Sequence, residues 1–126
     1  MSELIGLRLN DLRPDQIVVD ERFCRGDWSQ PKTEASNAAV DVDPHVIERI
    51  MSLKDKSVTI NWGGKGAKRT IKLMRSTNPN DLVFQSVVKG GTMSDGNILR
   101  RHIKPAARKA GLALVNWQVL RRSFAT

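Results

Sequence analysis

At 126 residues and 40% hydrophobic content, the chain has the length of one ordinary domain and enough apolar side chains for a core. A single cysteine, Cys24, excludes an internal disulfide framework and any cysteine-based zinc site, and no apolar run approaches the roughly 20 residues that span a bilayer. The net charge of +8 is unevenly spread: residues 1–64 hold 8 Lys/Arg against 11 Asp/Glu (net −3), while residues 65–126 hold 13 against 2 (net +11), the distribution of a surface that faces a polyanion.

The amino terminus lacks a basic-then-apolar leader, so a cytoplasmic protein without a membrane partner is expected. Ser2 to Leu9 is a short helical pattern carrying Leu4, Ile5 and Leu7, and it begins abruptly at Met1. Asp11-Leu12-Arg13-Pro14-Asp15 is turn chemistry, after which Gln16 to Phe23, with Ile17, Val18 and Val19, reads as a strand. Arg25-Gly26-Asp27 turns the chain, Lys32-Thr33-Glu34-Ala35-Ser36 forms a polar tip, and Ala39 to Val42 returns as the second strand of a hairpin.

Asp43-Pro44 starts a helix in which Val46, Ile47, Ile50, Met51 and Leu53 are core. Val58 to Trp62 and Arg69 to Leu73 form a second hairpin around the basic turn Gly63-Gly64-Lys65-Gly66. This turn lacks the Gly-Lys-Ser/Thr ending and the strand-to-helix setting of a P-loop. Asp81 to Phe84 is a brief extended segment. Ser94 caps a helix whose apolar stripe is Ile98, Leu99, Ile103, Ala106, Ala107 and Ala110, with Pro105 as a kink and Gly111 as the stop. Its other face carries Arg100, Arg101, Lys104, Arg108 and Lys109, suited to a phosphate backbone. Asn116 caps a last helix from Trp117, with Val119, Leu120 and Phe124 apolar, and this pattern is still running at Thr126.

Three segments in order resemble the catalytic domain of the tyrosine recombinases, the phage-type integrases. The first is Ser2-Glu3-Leu4-Ile5-Gly6-Leu7-Arg8-Leu9-Asn10-Asp11, similar to a family helix of the form Arg-x-x-Glu-Leu followed by a later Asp. The family's first catalytic arginine would fall one position before Met1. The second is Gln30-Pro31-Lys32-Thr33-Glu34-Ala35-Ser36, similar to the hairpin tip that holds the family's catalytic lysine, which would make Lys32 its counterpart. Gly64-Lys65-Gly66-Ala67-Lys68-Arg69 looks like the other common form of that tip, which leaves Lys65 as an alternative; it lies beyond a helix that the family usually lacks there.

The third and most specific segment is Leu120-Arg121-Arg122-Ser123-Phe124-Ala125-Thr126, similar to the family's His-x-Leu-Arg-His/Arg-Ser/Thr-Phe-Ala-Thr. It places Arg121 at the second catalytic arginine, whose planar fork suits a non-bridging phosphate oxygen. Gln118 stands where His is usual and Arg122 where a second His is frequent. Gln118 can donate a hydrogen bond but cannot exchange a proton near neutral pH. The chain contains no tyrosine, whereas the family's nucleophile lies on a later helix.

The resemblance implies an α+β fold, mainly helical, with a small antiparallel sheet holding Lys32 beside helices that present Arg121. Residues 1–126 would then be part of a catalytic domain, truncated at both ends. In complete relatives a tyrosine attacks the scissile phosphate and the strand is rejoined without metal or other cofactor, the bond energy being kept in the phosphotyrosine. The implied partner is double-stranded DNA, with self-association on DNA in the full-length relative and with Lys65, Lys68, Arg69, Arg100, Arg101, Lys104 and Arg108 on phosphates. A non-catalytic, basic DNA-binding remnant of an integrase gene is the alternative. An unrelated RNA-binding protein leaves the order of the Glu3, Lys32 and Arg121 segments to chance.

Overall fold

The structure, a computed structural model, describes residues 1–30, 38–86 and 89–125, with side-chain surroundings for Phe124 and Ala125 excepted. The chain divides into two compact units, Ser2–Thr92 and Met93–Thr126, the latter clustering with Met1. Among the described residues it is α+β, with short helices and antiparallel strands.

In the unit Ser2–Thr92, α1 (Ser2–Gly6) lies on the backbone of β2 (Arg22–Cys24). Gly6 permits this approach: a Cβ there would stand 3.2 Å from Arg22 Cα and 3.2 Å from the Phe23 nitrogen. Leu7 to Asn10 then pairs with a segment some seventy residues away. The Val83 N–H donates to the Leu7 carbonyl (2.9 Å), the Leu9 N–H to that of Asp81 (3.0 Å), and the Asn10 N–H to that of Pro79 (2.9 Å). Ile5, Leu7, Ile47, Ile71, Met74 and Val83 make up the buried apolar core, with Val83 1% exposed. The first helix thus ends at Gly6, short of the expected Leu9, because Arg8 is extended and bridges Leu82 on the expected extended segment from Asp81.

The two hairpins predicted for this unit form, with one refinement. β1 (Gln16–Val19) pairs with β4 (Ala38–Asp41), Gln16 opposite Asp41 and Val19 opposite Ala38. The strand read as continuous to Phe23 is broken, because β2 and β3 (Asp27–Ser29) make a hairpin of their own inside the larger one. Its loop is Arg25-Gly26, with φ of 53° and 93°, the left-handed pair that matches the twist of adjoining strands. The single small sheet expected from the resemblance is thus three separate two-stranded pairs among the described residues, the third being β5 (Ser57–Asn61) with β6 (Lys68–Lys72).

Between the pairs, α2 (Pro44–Met51) starts as its sequence dictates. Asp43 accepts a hydrogen bond from the His45 N–H (2.9 Å) and Pro44 occupies the first turn. Ile47 is buried, whereas Val46, expected in the core, is exposed. The inward stripe of so short a helix is narrow, and one position off its centre is enough to reach solvent.

Asp11 is a buried charged residue of this unit, and its carboxylate accepts the Arg8 N–H at 2.7 Å. Burial raises its carboxyl above the ordinary 3.8, against the Arg8 N–H and charge, with Asp20 and Glu21 pushing in the raising direction. The folded chain therefore holds this proton more tightly than the unfolded chain. The resulting stabilisation is full below the unfolded value and is lost as pH rises through the folded one. In urea unfolding at a series of pH values, wild type should gain stability relative to Asp11→Asn as pH falls from neutral. A difference that stays level or shrinks over that range would contradict the assignment of burial as the dominant cause.

The unit Met93–Thr126 comprises α3 (Asp95–Ile98), a π-helical turn over Leu99–Ile103, α4 (Lys104–Lys109) and α5 (Trp117–Ala125). Ser94 accepts the Asn97 N–H at 3.3 Å, and Asn116 accepts the Val119 N–H at 2.9 Å, so both predicted caps are present. Gly111 (φ 77°) closes α4: its N–H reaches the Arg108 carbonyl (3.1 Å), and the Leu112 N–H reaches Ala107 (2.9 Å), a Schellman stop.

Pro105, expected to kink the helix, instead accompanies a widening of it. The proline has no N–H to give the Arg101 carbonyl, and the Lys104 N–H bonds back to Leu99, five residues away. This wider turn shifts the phase of the residues beyond it. Leu99, Ile103 and Ala107, four apart, are half-buried, while Ala106 and Ala110, expected in the same stripe, are exposed.

Candidate nucleic-acid interface

The sequence-predicted cations fall on three surfaces. In the unit Ser2–Thr92, β5 and β6 are joined by Trp62 to Ala67, and the Trp62 N–H donates to the Ala67 carbonyl at 2.8 Å. Gly63, Gly64, Lys65 and Gly66 all have positive φ (73°, 80°, 52° and 74°). Three glycines take that conformation at no steric cost. Lys65 takes it with a side chain, at a cost on the order of 1 kcal/mol.

The turn joins two strands, so the P-loop arrangement is ruled out. Arg69 lies over the Trp62 ring, its guanidinium carbon 4.8 Å from the centroid, which holds the base of the tip by cation–π attraction. Strand alternation sends Lys68, Thr70 and Lys72 to the other face, where Thr70 and Thr59 hydroxyls meet at 3.1 Å. Lys65, Lys68, Arg69 and Lys72 are exposed and, among the described residues, none is in an ion pair.

The second surface is the helical run Leu99–Lys109. Arg100, Arg101, His102, Lys104, Arg108 and Lys109 are all exposed, and among the described residues no carboxylate pairs with them. Arg100 donates to the Asn97 side-chain carbonyl at 3.1 Å, a neutral partner that leaves its charge uncompensated. A hollow of about 270 Å³ lies between α4 and the segment leading to α5, with Lys104 and Arg108 on its wall.

The third surface is α5, where Gln118, Arg121 and Arg122 are all exposed. Spacing of three and four residues sets them on one face of the helix, so the arginine matched to the family's clamp and the two departures beside it stand together. On the far side, Ser123 bonds back to the Val119 carbonyl at 2.9 Å.

Lys32 lies outside the described residues, as does the whole Pro31 to Asn37 tip. Arg121 and Lys65 belong to different units. Among the described residues, no three His, Cys, Asp or Glu side chains come together as a metal site, and no helix is long and apolar enough to cross a membrane.

Sequence reasoning does not single out Lys54 and Arg75. Each is a basic residue outside any motif, and the end of the β5–β6 ladder, Ser57 opposite Lys72 with the Leu73 N–H donating to the Lys56 carbonyl (2.9 Å), draws their segments together. Comparisons with protein-family models, with curated proteins and with solved structures find no match to this chain.

Proposed function

We propose that this chain is a double-stranded-DNA-binding portion of a site-specific tyrosine recombinase, a protein of DNA integration and recombination. It would hold the duplex through backbone phosphates and lacks the nucleophile for cleavage. The observation that carries the reading is the Leu99–Lys109 face: five exposed Lys/Arg side chains on one short helical run with no carboxylate in ion-pairing range among the described residues. Cations left unpaired by the protein release counterions when they meet a polyphosphate, and this supplies most of non-specific affinity. The order of the Glu3, Lys32 and Arg121 segments directs the reading to recombinases. Lys32 and Arg121 are the proposed catalytic contributions of this chain in such an enzyme, with Arg122 and Gln118 beside Arg121 on α5.

A second reading, a non-catalytic DNA-binding remnant of an integrase gene, is supported by the same exposed basic run Leu99–Lys109. The two agree on binding and differ on chemistry.

Fluorescence anisotropy with a labelled duplex tests the shared part. Replacing Arg100, Arg101, Lys104 and Arg108 together by Gln should weaken binding at least a hundredfold near 0.1 M salt and reduce the salt slope by about 4, since each phosphate contact contributes close to one unit. The loss should be equal for unrelated duplex sequences, because phosphate contacts carry no base information. Unchanged affinity in this variant would remove the helix from the interface.

A further inference from the structure

We propose that Lys54, Lys72, Arg75, Ser76 and Thr77 form a phosphate-binding pocket, and, resting on the DNA-binding reading above, that it seats a backbone phosphate at the open end of the β5–β6 hairpin, the end opposite the Lys65 turn. These residues and Met74 line an open surface hollow of about 330 Å³. Lys72 and Arg75 also line a second hollow, of about 250 Å³, with Arg69 on its wall. Three cations from two segments thus converge: Lys54 from the turn after α2, and Lys72 and Arg75 from the end of β6 and the residues that follow it. The pairing of Leu73 with Lys56 ties the first segment to the second, and Met74, 4% exposed, is the apolar anchor beneath.

The pocket wall carries donors and no acidic side chain, as an oxyanion requires. Among the described residues, neither lysine nor Arg75 is in an ion pair, so positive charge accumulates there uncompensated. Ser76 accepts the Asn78 N–H through its hydroxyl oxygen (3.1 Å), which leaves the hydroxyl hydrogen to donate. The Thr77 hydroxyl has no partner among the described residues.

Arg75 is also positioned. Its guanidinium lies directly over Gly90, where a Cβ would overlap Nη1, and Gly90 has a left-handed φ of 75°. A planar donor held against backbone loses less freedom on meeting a phosphate than one free in solvent, and its fork can give two hydrogen bonds to one group.

The test has two arms on the full chain. In the first, inorganic phosphate is titrated in chloride buffer and followed by ¹H–¹⁵N spectra. Saturable shifts are expected at the Ser76 and Thr77 amides and at Arg75 Nε, and these should be lost in the doubly substituted Lys72→Gln/Arg75→Gln protein. Gly90→Ala, which displaces Arg75 with every charge kept, should weaken them severalfold. Shifts that never saturate, or that survive the double substitution, overturn the pocket.

In the second arm the double variant meets a labelled duplex. Binding should weaken tenfold or more, and the salt slope should drop by about 2. Duplex binding equal to wild type, with the phosphate shifts present, overturns the DNA assignment and leaves a site for a small phosphate ester. If wild type binds no duplex at all, the proposed function fails, and the phosphate arm still decides the pocket. Lys72 and Arg75 are both exposed, so the double variant is expected to fold.

Discussion

Affinity for a random-sequence duplex should fall about a thousandfold or more when monovalent salt is raised from roughly 50 to 200 mM. Seven cations of the proposed interface, Lys65, Lys68, Arg69, Arg100, Arg101, Lys104 and Arg108, are exposed and free of ion pairs among the described residues. At about 0.9 counterions released per phosphate, full engagement gives a log–log slope near −6, and engagement of the helical four alone gives one near −3.6. The measured slope therefore reports whether the hairpin and the helix bind together. A competitor of unrelated sequence should displace the probe almost equally, because contacts to backbone phosphates carry no base information. A nearly flat slope would mean that phosphates do not lead the binding, whatever the net charge.

The legibility of the fold in the sequence depends on how local each cause is. Asp43-Pro44, Ser94, Asn116 and Gly111 mark helix ends by chemistry within three or four residues, and each does so in the structure. The β5–β6 hairpin is equally plain, because its glycine turn and flanking β-branched residues state the same thing twice. The inner β2–β3 pair is not, since its strands, Arg22–Cys24 and Asp27–Ser29, are only three residues each, too short for a period-two pattern to stand out. Its one signal is the Arg25-Gly26 turn.

Ala106 and Ala110 depart from the expected stripe for a reason that is visible in the sequence. Pro105 removes a donor, and the helix upstream answers by widening, which turns every later residue to a new face. The Leu7–Val83 pairing depends on contact between distant segments, and no spacing rule reaches that far; the Lys54, Lys72, Arg75 pocket lies at the open end of a legible hairpin, but the turn beyond each strand carries no motif that marks it. The candidate catalytic residues are legible as a motif, not as a geometry: Arg121 sits on an exposed helical face with Gln118 and Arg122, while Lys32 lies outside the described residues.

The chain of 126 residues should form no covalent complex with DNA, and the cause should be missing chemistry before missing stability. Strand cleavage in the manner of the recombinases needs an oxygen nucleophile in line with the leaving 5′ oxygen, and this chain has no tyrosine. Its serine and threonine hydroxyls lack phenolic acidity. Ser123, the one nearest Arg121 in sequence, already donates its hydroxyl to the Val119 carbonyl at 2.9 Å. Under the proposed reading Arg121 is the oxyanion donor this chain would contribute, and loss of a single such donor commonly lowers rate on the order of a hundredfold or more. Gln118 cannot make up the difference, because an amide does not exchange a proton near neutral pH.

Stability is the competing explanation, and it has a basis. Leu112, Leu114, Val119 and Leu120 are exposed, and among the described residues the buried apolar side chains all belong to the unit Ser2–Thr92. Apolar surface of that kind promotes association. The two causes separate when one preparation is tested for both properties. A suicide duplex nicked next to the cleavage point traps any covalent intermediate, which a denaturing gel then resolves, while anisotropy on the same sample reports binding. Binding without an adduct is the expected result; loss of both would point to misfolding, and a stable adduct formed by this chain would refute the chemical argument outright.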